Sequence, residues 1–159
     1  MKPARVFIHG LLGSSSGVKA TFFRKRYPDM IIEDFRGLLD KRMDTLNRLL
    51  AEKGPLILVG SSYGGLMASI YTLGNPDRVR QVILLSPALA HHEFDPYLEA
   101  RTGTPVVIYH GHKDDVVPLG PVRENAHRVF RNLTFNTVDD DHVLTKTFTR
   151  IDWDMLLER

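Results

Sequence analysis

The sequence of 159 residues contains no cysteine. This absence excludes disulfide bonds, cysteine nucleophiles, iron–sulfur clusters and zinc sites built from thiolates. Any chemistry that the chain performs must therefore use oxygen and nitrogen side chains.

Long hydrophobic runs are also missing. The longest apolar stretches lie around residues 56–59 and 82–85, far below the roughly 18 residues that indicate a membrane-spanning helix. The opening residues lead into a short strand-like segment that stops at His9 and Gly10, which is not the pattern of a signal peptide. We therefore expect a soluble, cytoplasmic protein with no membrane partner.

The chain has little excess of either charge. Lys and Arg total 21 against 19 Asp and Glu, which gives a net charge of +2. The longest basic run, Arg24–Arg26, is more typical of a solvated helix face than of a surface that follows nucleic-acid phosphates. We expect no nucleic-acid partner. The length and the 43% apolar fraction predict one globular domain over residues 1–159.

Short β-rich segments alternate with longer helical ones along the whole chain. The alternation predicts an α/β fold with a doubly wound, mostly parallel six-stranded sheet and helices on both faces. Strands are predicted at residues 5–9, 30–32, 56–59, 82–85, 106–109 and 133–138, the last as an exposed edge strand. Helices are predicted at 14–27, with an N-cap from Ser14–Ser16, and at 38–53, 63–73, 121–130 and 144–157. Residues 90–102 are predicted to be irregular.

Ligands bind at the carboxyl ends of the strands in sheets of this kind. After the third strand, residues 60–64 read G-x-S-x-G, between a buried strand and a helix. A tight turn there presents the central side chain, and the residues two positions away on either side must be small. Gly60 and Gly64 meet this requirement for Ser62. Ser61 has bulky residues at both positions, so the pattern favours Ser62 as the presented serine.

Acidic residues and a histidine follow the last two strands. Asp114 and Asp115 come after the fifth strand, and Asp139–Asp141 precede His142 after the sixth. A serine hydroxyl needs a nearby base to become a nucleophile, and an imidazole base needs an acid that fixes its tautomer. The order serine, acid, histidine is that of hydrolases with a nucleophile elbow. Asp139–Asp141 are expected to form a solvated turn without a catalytic role.

These residues resemble the landmarks of the α/β-hydrolase superfamily, in particular its small, lidless bacterial serine esterases of the YqiA-like kind. The resemblance covers nearly the whole chain and implies a minimal fold without a large lid. It implies Ser62 as the nucleophile, His142 as the base and Asp114 as the orienting acid. It also implies an oxyanion hole formed by the backbone N–H groups of Leu11 and Tyr63.

The neighbouring residues receive supporting roles. We expect His9 to hydrogen-bond loop backbone and Gly10 to leave room for the substrate oxygen. A metal site could nominally draw on four side chains, but it would leave the serine turn unexplained, so we expect no metal and no cofactor. Those four side chains are His110, His112, Asp114 and His142.

The expected activity is that of a serine hydrolase, acting on small carboxylic esters with short acyl chains through an acyl-enzyme on Ser62. A thioesterase, an amidase or a lactonase would use the same triad. A binding protein that retains the hydrolase fold without catalysis is the alternative of another class. Only residues 90–102 could form a cap, and no pattern in the sequence indicates an oligomeric state.

Overall fold

The computed structural model describes residues 1–158, in which six strands form one parallel sheet in the order β2-β1-β3-β4-β5-β6. The predicted α/β fold with a doubly wound sheet is confirmed. The strands are β1 (Ala4–Ile8), β2 (Ile31–Ile32), β3 (Leu56–Ser61), β4 (Val79–Leu85), β5 (Val106–Gly111) and β6 (Leu133–Val138). The helices are α1 (Val18–Arg26), α2 (Leu39–Leu50), α3 (Tyr63–Gly74), α4 (Leu119–Val129) and α5 (Trp153–Leu157).

Alternate residues of the central strands face two separate cores. Leu56 and Leu58 of β3 pack with α2, α3 and α4 on one face, whereas Ile57 and Val59 pack with α1 and α5 on the other. Side chains of a strand alternate between its faces, and a strand covered on both faces is apolar at every position. This explains the continuous apolar runs of the sequence. The edge strand β6 is half-buried and, within residues 1–158, pairs only with β5.

The first helix begins later than the sequence predicts. α1 starts at Val18 with Gly17 as its N-cap, and no side chain caps it. The predicted start at residue 14 and the serine cap are therefore wrong. The Ser14 hydroxyl instead pairs with the hydroxyl and the backbone N–H of Ser16, at 3.1 Å each. These local bonds stabilise a loop in place of the first helical turn.

The predicted closing helix at 144–157 is also wrong, because the structure breaks it into two short pieces. A 3₁₀ turn at Phe148–Arg150 precedes α5, and Asp152 caps α5 by accepting the Met155 N–H at 3.1 Å. The break lets Trp153 enter the core, where its indole N–H donates to the Phe148 carbonyl at 2.9 Å.

Residues 90–102 fold onto the helical layer. A 3₁₀ helix at His92–Tyr97 places Phe94 fully in the core that includes α3. The fold thus has no large lid. Among the helices of residues 1–158, none has the length and apolar character needed to span a membrane.

Candidate active site

Ser62 lies on the turn between β3 and α3, in a backbone conformation that a non-glycine residue seldom adopts. Its φ is 55° and its ψ is −116°. Such a conformation is strained and persists only where its surroundings enforce it. The Ser62 N–H donates to the Leu85 carbonyl at 2.9 Å, which ties the turn to the end of β4.

The glycines around Ser62 allow backbones to approach closely. A Cβ on Gly60 would lie 2.5 Å from the Gly64 carbonyl oxygen, and one on Gly64 would lie 2.0 Å from the Ile8 carbonyl oxygen. Both distances are far inside van der Waals contact, so no other residue fits without moving backbone. The turn is thereby packed against the end of β1.

His142 contacts both of the other side chains that the sequence singled out. Its Nε2 lies 3.1 Å from Ser62 Oγ, and its Nδ1 lies 2.7 Å from Asp114 Oδ2. A carboxylate only accepts, so Nδ1 carries the proton, and Nε2 is free to accept the hydroxyl proton of Ser62. The fold therefore brings together residues that are 80 and 28 positions apart.

Asp114 is anchored by the backbone of its own loop. Its side chain is fully buried, and Oδ1 accepts the N–H groups of Val116 at 2.9 Å and Val117 at 2.8 Å. Oδ2 accepts the hydrogen bond from His142 Nδ1. Asp115, in contrast, is exposed to solvent.

A second histidine, His110, lies beside the same carboxylate. It is fully buried, with Nε2 at 2.9 Å from the Val117 carbonyl oxygen and 3.3 Å from Asp114 Oδ2. Burial lowers the pKa of His110, and both neighbours of Nε2 are acceptors, so the neutral ring donates from Nε2. Its Nδ1 has no partner within residues 1–158.

The backbone N–H groups of Leu11 and Tyr63 have no acceptor among the described residues. Tyr63 is the first residue of α3 and directly follows Ser62, and Leu11 lies in the loop after β1. A Cβ on Gly10 would lie 3.9 Å from Ser62 Oγ, so its absence leaves room beside the hydroxyl. His9 fixes this loop, because its Nδ1 donates to the Gly10 carbonyl at 2.7 Å and its Nε2 accepts the Phe35 N–H at 2.9 Å.

Tyr63 is held by two side chains that the sequence analysis did not identify. Its hydroxyl donates to Glu93 Oε1 at 2.6 Å, and the guanidinium of Arg42 lies 5.3 Å from its ring centroid. Burial, followed by the Glu93 contact, raises the pKa of Tyr63 to about 12. The buried Arg42 also donates to the Gly37 carbonyl at 2.9 Å. No sequence pattern marks Arg42, which lies within α2.

Ser86 is a further residue that the sequence analysis missed. It directly follows β4, and its hydroxyl donates to the His142 carbonyl at 2.7 Å. Its φ of 46° places it in the left-handed region. A polar residue directly after a buried strand was the available signal, since the carboxyl ends of the strands form the site.

Asp140 corrects the expectation of a solvated acidic turn. It is buried, and its oxygens accept the backbone N–H groups of Asp141, Lys146 and Thr147 at 2.8, 2.9 and 2.7 Å. Burial alone would raise the pKa of Asp140, but these bonds outweigh it and lower the pKa. Asp140 therefore fixes the loop that carries His142.

Of the four nominal metal ligands, His110, Asp114 and His142 lie side by side, but His112 lies apart from them. His112 pairs with Asp139 on the surface at 2.8 Å, away from the buried His110. Within residues 1–158, no three His, Asp or Glu side chains are arranged to hold a metal ion.

Comparison with solved structures places this geometry in a known fold. Est1E from Butyrivibrio proteoclasticus is similar with a TM-score of 0.81 at 16% identity, covering 99% of this chain and 86% of that chain. The alpha/beta hydrolase domain-containing protein 10 from mouse has a TM-score of 0.73 at 21% identity, covering 90% and 83%. The monoacylglycerol lipase of Paleococcus ferrophilus has a TM-score of 0.71 at 16% identity, covering 98% and 95%.

At these identities the likeness shows the fold alone. No curated protein matches the sequence. The family model described as serine aminopeptidase, S33 (Hydrolase_4), matches residues 13–101, which is more than half of the chain. The chain belongs to this family of α/β hydrolases.

Proposed function

We propose that the chain is a serine hydrolase that cleaves small carboxylic esters with short acyl chains, using Ser62, His142 and Asp114 as a catalytic triad. The single observation that carries the proposal is the chain of contacts from Ser62 Oγ through His142 to Asp114 Oδ2, at 3.1 and 2.7 Å. The first distance suits proton transfer from Ser62 to His142, and the second is a hydrogen bond that holds the imidazole in the required tautomer.

In the proposed reaction, His142 Nε2 takes the proton of Ser62 as the serine oxygen attacks the ester carbonyl. The N–H groups of Leu11 and Tyr63 stabilise the negative oxygen of the tetrahedral intermediate. His142 then gives its proton to the leaving alcohol, and an acyl group remains on Ser62. A water molecule, deprotonated by the same histidine, attacks the acyl-enzyme, and His142 returns this proton to Ser62 Oγ as the carboxylic acid leaves.

The preference for short acyl chains rests on the size of the site. No large lid covers it, and the cavity that adjoins it, lined by Gly10, Ser61 and Val143 among others, has a volume of about 440 Å³, near the lower end of the range for small-molecule pockets. We expect acetyl and butyryl esters to react faster than long-chain esters. Faster turnover of decanoyl esters would contradict this preference.

The family's description as serine aminopeptidases makes cleavage at a peptide amino terminus a second candidate. Such a substrate presents an ammonium group, which a carboxylate would recognise. The cavity beside Ser62 is lined by Lys19 and by no acidic side chain within residues 1–158. This charge favours the ester over the amino-terminal peptide.

Labelling with a fluorophosphonate, read by intact-protein mass spectrometry, tests the proposal. The folded wild-type chain should gain one label, and Ser62→Ala should gain none. Ser61→Ala is the matched control and should label like the wild type. Failure of the folded wild type to label would favour the binding protein without catalysis. Hydrolysis of matched esters, thioesters and amides then separates the esterase from a thioesterase or an amidase.

A further inference from the structure

The cavity beside Ser62 lies between the loop after β1, the start of α1 and the segment after His142. Gly10, Ser61 and Val143, which directly follows His142, are among the residues that line it, whereas Ser62 and His142 are not. The space that a Cβ on Gly10 would occupy lies 3.9 Å from Ser62 Oγ. The cavity therefore adjoins the candidate site through Gly10, Ser61 and Val143, so a group attached to an ester at Ser62 can reach it.

Lys19 is the cationic side chain of this otherwise largely apolar cavity. Its ammonium donates to the Val143 carbonyl at 2.8 Å and lies 5.4 Å from the ring centroid of Phe148. One of its three N–H groups is thus engaged, and it forms no ion pair with any carboxylate of residues 1–158. Burial lowers the pKa of Lys19, and the charges of Asp141 and Asp140 oppose this effect.

The two nearby carboxylates are engaged elsewhere. Asp140 accepts N–H groups of its own loop, and Asp141 accepts the N–H and the hydroxyl of Thr145 at 3.0 to 3.2 Å. Lys19 is therefore a partly buried residue with no carboxylate of residues 1–158 in contact with its ammonium. A partly buried cation in this state gains most from a ligand that supplies the missing negative charge.

We propose that the preferred substrate carries a carboxylate on the part of the ester that occupies this cavity, and that Lys19 binds this carboxylate. The inference rests on the proposed esterase function and specifies its substrate class. A lone ammonium binds a carboxylate as a point charge, without the two parallel hydrogen bonds that an arginine would form. The carboxylate can belong to the acyl part, as in a monoester of a dicarboxylic acid, or to the alcohol part.

Two pairs of esters distinguish these sources. Monomethyl glutarate against methyl pentanoate tests a carboxylate on the acyl part, and carboxymethyl butyrate against ethyl butyrate tests one on the alcohol part. We expect the wild type to favour the anionic member of one pair in kcat/KM. In Lys19→Met this ratio should fall by roughly 10- to 100-fold, the factor expected for a charge-assisted hydrogen bond.

Lys25→Met is the matched control. Lys25 lies exposed on the same helix, so its loss changes the net charge equally without touching the cavity, and the ratio should stay at its wild-type value. If Lys19 serves only to tether Val143, both members of a pair will slow together in Lys19→Met and the ratio will persist. That result, or a wild type without preference in either pair, overturns the inference.

A binding measurement separates this inference from the proposed reaction. Calorimetric titration of Ser62→Ala with the two anionic esters measures their binding to the cavity without turnover, because this variant should not hydrolyse them. Binding that is lost in the double variant Ser62→Ala, Lys19→Met supports the carboxylate site even if the wild type hydrolyses no ester. Equal binding by both variants contradicts it.

Discussion

The backbone of Gly111 touches the backbone of Asp140, and a Cβ on Gly111 would lie 2.2 Å from the Asp140 carbonyl oxygen. Gly111 ends β5, three residues before Asp114, and Asp140 lies two residues before His142. This contact sets the spacing between the loop that carries Asp114 and the loop that carries His142.

Gly111→Ala should therefore damage the site as well as the fold. The new methyl group must displace backbone, at a cost of about 1–3 kcal/mol in the free energy of unfolding. A shift of about 1 Å in the two loops should lower kcat/KM about 100-fold. Urea denaturation and ester hydrolysis measure the two effects. Gly120→Ala, where the structure has open space around the glycine, should leave both unchanged or slightly raise stability.

Asp114→Asn should lower kcat by about 10⁴-fold if the proposed triad operates. An amide N–H facing His142 Nδ1 would force the ring into the tautomer that carries its proton on Nε2. That tautomer cannot accept the proton of Ser62. Steady-state hydrolysis of a butyryl ester measures the loss, and the exposed Asp115→Asn is the control. Near-normal turnover by Asp114→Asn would remove Asp114 from the mechanism.

His110→Gln should flatten the dependence of stability on pH near neutrality. Because burial lowers the pKa of His110 from its usual value of 6.5, the unfolded chain takes up a proton near pH 6.5 that the folded chain refuses. The wild type thus loses stability as the pH falls through 6.5, by at most about 1.4 kcal/mol per pH unit from this group.

Urea denaturation at pH 7.5 and 5.5 tests this expectation. The difference between the two free energies of unfolding should be smaller for His110→Gln than for the wild type. His92→Gln, which removes an exposed histidine, controls for the loss of one titratable group. An unchanged difference in His110→Gln would show that its burial has no effect on protonation.

Asp140→Asn should loosen the loop that carries His142. The neutral amide accepts hydrogen bonds more weakly than the carboxylate, and we expect a loss of about 1–3 kcal/mol at pH 7. The pKa of Asp140 is lowered below its usual 3.8, so the carboxylate stabilises the fold above pH 3.8, and this contribution disappears as the pH falls further.

The gap in stability between the wild type and Asp140→Asn should accordingly narrow below pH 3.8. Denaturation monitored by circular dichroism across pH 3 to 7 measures it. Asp139→Asn removes an exposed carboxylate from the same turn and should have a much smaller effect. A gap that stays constant with pH would contradict the assigned charge on Asp140.

The sequence predicted the sheet well, because buried parallel strands such as β3 are apolar at every position and glycine marks the turn at Ser62. It predicted helix ends poorly. Ser14 forms hydrogen bonds within its own loop and does not cap a helix. The apolar residues of the closing segment are divided between a 3₁₀ turn and the short helix α5. Both outcomes depend on tertiary contacts, such as the burial of Trp153, that no local pattern records.

The same limit applied to the candidate site. Ser62, Asp114 and His142 follow strands and carry recognisable spacing, so the sequence could name them before the geometry brought them together. In the sequence, Asp140 cannot be told apart from its exposed neighbours. The backbone N–H groups that hold its carboxylate belong to residues six and seven positions later, and only the folded loop brings them to it. Arg42 lies within α2, and only the folded chain places it beside Tyr63.

His142 follows β6, the half-buried edge strand that pairs with β5 alone, whereas Ser62 follows β3 in the centre of the sheet. Edge strands open locally at a lower free energy than the core. His142 and Ser62 therefore belong to regions of unequal local stability. We expect mild denaturant to abolish activity before the bulk of the sheet unfolds. The loss of activity would then measure the local opening of β6.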